Sequence, residues 1–281
     1  MIESLDDRQK TYEHIYDHKI IKRLPLIIRV DGKKFSRVTK HLSKPYSQEM
    51  LNLMANTMLH AAMEIEGAIF AYHQSDEITF VLRNDQSFES EPWFQNRIQK
   101  IVSIVASIIT LAFTKNLFTM DSPPKIFGDA IFDARVFAVP SITEAANNLI
   151  FRQQDCSRNA ITGAAQAELS KIYGKKHALS MLYEKKSAEK IDLLRTKCNI
   201  EYETFYPNSF RLGTAAYKVP MILRTEEGET ARNKWIIDMN IPNFVADRNF
   251  LLNILHAGHD VFRADRDLTI KETGDEVDAR K

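Results

Sequence analysis

Two short acidic motifs carry the residues best suited to chemistry: Arg29-Val30-Asp31-Gly32-Lys33-Lys34-Phe35 and Gln74-Ser75-Asp76-Glu77. Each lies at the end of an apolar, β-type run. If the runs pair, Asp31 and Asp76 come to one edge of a sheet. Two carboxylates there suit a pair of Mg²⁺ ions that hold a triphosphate and activate an attacking oxygen. The Gly32 carbonyl can add a ligand, since glycine lets the backbone approach closely. Glu77 begins the next strand and points away from Asp76. Asp-Gly and Ser-Asp are also ordinary turn sequences, so each acid alone is better read as a turn residue, and it is the pair together that favours metal. Lys33, Lys34 and Phe35 follow directly, where turn amides can form an anion nest to which the lysines add charge. Lys44, ahead of Pro45, is a further candidate for a triphosphate.

The elements that would position these groups read out in order. Leu24 to Val30 predicts a strand. From Ser47 to Glu66 the apolar spacing predicts an amphipathic helix, capped by Ser47 and ended at Gly67. Ala68 to Tyr72 and Ile78 to Leu82 predict a hairpin, Pro92 to Phe118 a long helix, and Ile131 to Val139 a strand stopped by Pro140. Pro123-Pro124 breaks the chain between the last two. The order β-α-β-β-α-β is the split βαβ of a ferredoxin-like antiparallel sheet, an α+β fold. Its first and third strands are central neighbours, which brings Asp31 beside Asp76 and Asp133 and Arg135 within reach. Arg97 and Lys100 share a face of the second helix at a spacing of three.

A soft boundary near Pro140 separates residues 1–140 from a C-terminal α+β extension, 141–281, that packs on the first part. There the pattern predicts helices over Thr143 to Ile172, Ala188 to Lys197 and Asp247 to His256. It predicts strands over Phe210 to Val219 and Trp235 to Met239. The polar cluster Arg152-Gln153-Gln154-Asp155-Cys156-Ser157-Arg158-Asn159 interrupts the first of these helices. A solvated face explains so long a polar run poorly, because part of it must turn inward. Lysines and arginines from Lys171 to Lys197, Lys186 among them, form a loose basic field suited to RNA phosphates or to ordinary solvation. The segment from Lys271 is charged and aperiodic, which predicts disorder.

Composition narrows the class. The chain has 281 residues, 44% hydrophobic and 27% charged, with a net charge of +1. That excludes a bulk polyanion-binding signature and leaves local patches to bind nucleic acid. Two cysteines, Cys156 and Cys198, make neither a zinc site nor a CxxC pair. The longest apolar run, Ile101 to Phe113, is too short to span a bilayer and predicts a buried helix. A cytoplasmic protein with no membrane segment is the expectation.

RVDGKKF, YHQSDEITFV, FDARVFAVP, RQQDCSRNAI, FRLGTAAYK and KWIIDMNIPNF occur in that order between about Arg23 and Phe250. As a set they resemble the tRNA(His) guanylyltransferase superfamily of 3′–5′ nucleotide-adding enzymes. The resemblance implies a palm domain like that of ordinary polymerases. It implies two Mg²⁺ ions on Asp31, the Gly32 carbonyl and Asp76, with ATP and GTP or other NTPs as substrates. Triphosphate contacts follow at Lys33, Lys34, Phe35, Lys44 and Ser75. Arg97 and Lys100 fall where the family activates the 5′ end, and Arg135, Arg152, Asp155, Asn159 and Lys186 where it meets tRNA or activates it. A homotetramer is implied as well. Eukaryotic tRNA(His) enzymes carry His-Ile-Asn-Asn where this chain has Ser157-Arg158-Asn159-Ala160. The present pattern resembles the branch that extends 5′-truncated tRNAs against a template. The alternatives are untemplated guanosine addition to tRNA(His), a nucleotide cyclase on the same palm, and an RNA-recognition module. The last would read bases with aromatics on its central strands, and here only Phe80 is available.

Overall fold

The computed structural model describes residues 4–87, 89–119, 129–225 and 228–257. Strand β1 (Leu26–Gly32) pairs antiparallel with β3 (Glu77–Leu82) and with β4 (Phe132–Ala138), and β3 pairs with β2 (Ala68–Gln74). Two later strands, β5 (Thr214–Thr225) and β6 (Gly228–Asp238), join through β2. One six-stranded sheet results, in the order β4-β1-β3-β2-β5-β6, and it runs across position 140 without a break. The split βαβ of the sequence reading forms its first four strands.

Alternation along the strands decides which residues face which layer. Leu26, Ile28, Val30, Ile78 and Phe80 point to one face, where they pack on α3 (Gln48–Glu64) and α4 (Ile98–Leu117). Ser47 caps α3, its Oγ accepting from the Met50 amide at 3.3 Å. Met54, Met58, Ile101, Val105, Ile109 and Phe113 close this core. By length and composition α4 could also cross a bilayer, but its buried stripe belongs to the interior. Ile27, Phe70, Tyr72 and Val81 point to the other face. That face is covered by α5 (Ile142–Tyr173) and α10 (Arg248–Ala257) through Leu149, Phe250, Leu251 and Ile254. The covering stops short of β4, whose Asp133, Arg135 and Phe137 are exposed. Ser141 caps α5, and Asp247 caps α10 by accepting from the Phe250 amide at 3.0 Å.

α5 is long enough to overshoot the sheet. Its second half packs with α6 (Lys175–Leu182), α7 (Ser187–Cys198) and α8 (Tyr202–Phe205) around Leu169, Leu194, Tyr202 and Tyr206. A helical turn, α9 (Asn208–Arg211), leads into β5. The chain begins with α1 (Leu5–Ile15), which buries none of its residues, and a short α2 (Phe35–Val38) follows β1.

Some expectations change. β1 continues through Asp31 and Gly32, because the ladder with β4 extends to Gly32 opposite Phe132 and the Lys33 amide donates to Ile131 O at 2.9 Å. The second long helix starts at Ile98, not Pro92. Phe94, Gln95 and Asn96 take positive φ, and Asn96 O and the Ile98 amide bond to Ile20 N and His18 O instead of to a helical ladder. The strand expected from Phe210 starts at Thr214, since α9 occupies Asn208–Arg211. Pro123-Pro124 and the charged tail from Lys271 lie outside the described residues.

Candidate active site

The C-terminal end of β1, the β2–β3 turn and the start of β4 share one edge of the sheet. Asp31 follows Ile27 and Arg29 onto the face away from α3 and α4, and it is half-buried. Opposite it in register stands Asp133. Like charges placed so are mutually destabilising, and Asp133 leans instead to Arg135, at 3.4 Å. Gly32 has no room for a side chain, since a Cβ there would overlap the Phe35 ring. Asp76 occupies the two-residue turn between β2 and β3, after Ser75 at φ +52°. Burial raises the Asp76 pKa from its ordinary value, and the negative charge of Asp31 raises it further. The two acids therefore feel one another, as the strand order predicts.

A cation fits this pair. The donors are hard oxygens, and Asp31 disfavours the charged form of Asp76, which a bound cation would reverse. Among the described residues no three of His, Cys, Asp and Glu converge as a closed cage. Mg²⁺ needs none, because it is commonly held by one or two carboxylates together with substrate phosphates.

Glu77 shares the face of Asp31 but is committed elsewhere. It is buried, and its carboxylate takes Arg152 Nη1 at 3.1 and 3.2 Å and Arg29 Nη2 at 2.6 Å. Arg152, expected where the family meets tRNA or activates it, is thus interior. It is 7% exposed and tied to the strand beneath the turn. His73 is likewise interior. Burial lowers its pKa to about 4, so the ring is neutral near pH 7.

Beside the turn opens a cavity of about 420 Å³, with Phe35, Lys44, Gln74, Ser75, Asn159 and Phe210 among its lining residues. Its far wall includes Tyr46 stacked on Phe210, centroids 4.8 Å apart. Three residues expected to meet a triphosphate, Phe35, Lys44 and Ser75, thus line one space with Asn159 from α5. Phe35 is mainly a core residue, against Phe113 and Phe132 at 5.9 and 5.3 Å. Lys33 and Lys34 are exposed just beyond β1. The Lys33 amide is occupied by Ile131 O, so it cannot serve the expected nest.

The remaining expected residues spread out. Asp155 holds Arg158 at 3.0 Å and Asn159 at 3.5 Å along α5. Lys186 is exposed ahead of α7, its amide bonded to Glu189. Arg135 is exposed on β4. Arg97 precedes α4, its Nε 3.1 Å from Asp17, and Lys100 lies over the Phe94 ring at 4.6 Å. At 3.1 Å Arg97 and Asp17 form an ion pair, although the N–H is not aimed for a hydrogen bond. β3 runs away from the acidic turn and α4 runs back toward it, so the start of α4 lies at the opposite end of the sheet. Arg97 and Lys100 are not brought to Asp31 and Asp76 within one chain. Sequence reasoning missed the contacts of Leu212, Gly213 and Thr214 with Tyr72 and His73. The one signal was a glycine at the entry of a strand.

A family model described as tRNAHis guanylyltransferase matches residues 6–140. A bacterial tRNA(His) guanylyltransferase (Thg1)-like protein, solved in complex with ATP, superposes with a TM-score of 0.74 at 31% identity. That match covers 90% of this chain and 99% of that one. This chain belongs to the tRNA(His) guanylyltransferase family. Among curated relatives, protein R259 of Acanthamoeba polyphaga mimivirus is 33% identical over 181 residues, 57% of this chain and 61% of that protein. tRNA(His) guanylyltransferase 1 of Arabidopsis thaliana is 29% identical over 221 residues, 76% of this chain and 38% of that protein. The chain therefore spans less than two thirds of either. In tRNA(His) guanylyltransferase terms, the family match ends just after β4. Asn159 and Phe210 line the cavity from the part beyond it, and Thr214 meets His73 from there.

Proposed function

We propose that this protein is a nucleotidyltransferase that adds nucleotides to the 5′ end of tRNA in the 3′–5′ direction. Its preferred reaction is template-dependent repair of 5′-truncated tRNA. The observation that carries the reading is the meeting of Asp31 and Asp76 at one sheet edge, beside a cavity lined by Lys44, Ser75 and Asn159. The bacterial relative's complex with ATP supports a nucleotide in that cavity.

The reaction divides into two transfers. A 5′-monophosphate end attacks the α-phosphorus of ATP, forming an adenylylated end and releasing pyrophosphate. The 3′-hydroxyl of the incoming NTP then attacks the activated 5′ phosphorus, and AMP leaves. Asp31 and Asp76, with the Gly32 carbonyl, would hold Mg²⁺, which when bound makes the hydroxyl a better nucleophile and neutralises the leaving group. Lys44 offers charge to the triphosphate, with Lys33 and Lys34 exposed nearby. Ser75 and Asn159 offer polar contacts within the cavity. Arg29 and Arg152 fix Glu77, the first residue of the strand that follows Asp76.

The preference for repair rests on Ser157-Arg158-Asn159-Ala160. Asn159 lies at the cavity and Arg158 is tied to Asp155, in place of the His-Ile-Asn-Asn of the eukaryotic enzymes. The test uses 5′-³²P-monophosphorylated tRNA lacking its first nucleotide, with ATP, all four NTPs and Mg²⁺. The templating base opposite the gap is varied. Added nucleotides that follow the template support repair. Guanosine added whatever the template would replace it with the tRNA(His) activity.

A further inference from the structure

We infer that His73 and Thr214 brace the turn that carries Asp76, so that the second half of the chain sets the position of a metal-holding carboxylate. The inference rests on the nucleotidyltransferase reading above. It concerns a positioning pair that the match to residues 6–140 only half contains.

His73 is the penultimate residue of β2 and is 3% exposed. Its Nε2 lies 2.9 Å from Ser75 O. A carbonyl only accepts, so Nε2 carries the hydrogen and Nδ1 is left as an acceptor. Thr214 Oγ1 is 3.0 Å from Nδ1 and donates its hydroxyl hydrogen to it. Both ring nitrogens of a neutral imidazole are thereby satisfied. Thr214 is fully buried and stands opposite His73 in the β2–β5 register.

The segment before Thr214 is fixed to the same strand. Tyr72 Oη donates to Leu212 O at 2.8 Å. Gly213, at φ +83°, passes so close that a Cβ would stand 2.6 Å from both His73 O and Tyr72 Oη. Leu212 to Thr214 is thus closely fitted against Tyr72 and His73. Only Ser75 and Asp76 separate β2 from β3, and Ser75 is left-handed and exposed. The Ser75 carbonyl is therefore a short lever on Asp76, and His73 holds it.

The test compares Thr214→Val, His73→Phe and His73→Gln in the full chain. Mn²⁺ binding is read by electron paramagnetic resonance, in the presence of an ATP analogue with a methylene bridge between the α and β phosphates. Nucleotide addition and thermal melts are measured in parallel. Thr214→Val keeps shape and burial, so it remains informative if His73→Phe does not fold. The expected result is a loss of about 10-fold or more in both Mn²⁺ affinity and kcat for Thr214→Val and His73→Phe. The KM for ATP holds. Glutamine places an amide nitrogen near the Nε2 position, so His73→Gln recovers most of kcat. A folded Thr214→Val with wild-type Mn²⁺ affinity and kcat overturns the brace, as does a His73→Gln no better than His73→Phe. If wild type itself binds no Mn²⁺, or Asp76→Asn binds as wild type does, the metal reading beneath the brace fails instead.

Discussion

Replacing Glu77 by glutamine should cost this protein a large share of its stability. The carboxylate is 7% exposed and takes guanidinium nitrogens from both Arg29 and Arg152. Arg152 is itself 7% exposed, so Glu77→Gln leaves a buried cation with no counter-charge. Breaking a buried pair from one side costs about 3–5 kcal/mol, against a total of about 5–15 kcal/mol for a typical domain. For 281 residues, at about 2.1 cal/mol/K of unfolding entropy per residue, this is a fall in Tm of about 5–8 °C. Differential scanning calorimetry of Glu77→Gln measures it directly. Adding Arg152→Met removes the stranded charge, so the double variant should regain at least half the loss. A Glu77→Gln melting within a degree of wild type, or a double variant lower than the single, would refute this account of Glu77.

Further expectations concern the same turn. His73 has its pKa lowered from 6.5 to about 4 by burial, so the unfolded chain takes up a proton that the folded one refuses. Its contribution is whole above pH 6.5 and is lost as pH falls toward 4, about 3 kcal/mol across the window. Urea midpoints from pH 7 to 4.5 should fall less steeply in His73→Gln than in wild type. Gly213→Ala should unfold at lower urea by at least about 1–2 kcal/mol, since φ +83° disfavours any side chain and His73 O leaves no room for one. Asp76→Asn should melt at or above wild type while losing nucleotide addition, because burial and Asp31 both oppose the Asp76 charge.

How far the sequence reaches is clear at particular residues. The run of apolar segments and turns is enough to order β1, α3, β2, β3, α4 and β4, and that order alone places Asp31 by Asp76. Local spacing does not reach further. It puts Arg97 and Lys100 on one helix face, yet helix direction sends that face to the far end of the sheet. It cannot see Phe94 to Asn96 leaving the helix, because their partners are at His18 and Ile20, far back in the chain. The cluster from Arg152 to Asn159 is legible as partly interior. That Arg152 is the inward member, paired with Glu77, depends on how α5 crosses the sheet. Thr214 carries no chemical signature of its own, and only the β2–β5 register reveals what it does.

The central claim is that Asp31 and Asp76 together hold the metal for 3′–5′ addition. It is tested most directly with 5′-triphosphorylated tRNA lacking its first nucleotide, which bypasses activation. Single-turnover extension is followed against Mg²⁺ for wild type, Asp31→Asn and Asp76→Asn. The account predicts Mg²⁺-dependent extension by wild type and a loss of at least about 10²-fold in each folded variant. Extension by either variant at the wild-type rate would contradict it.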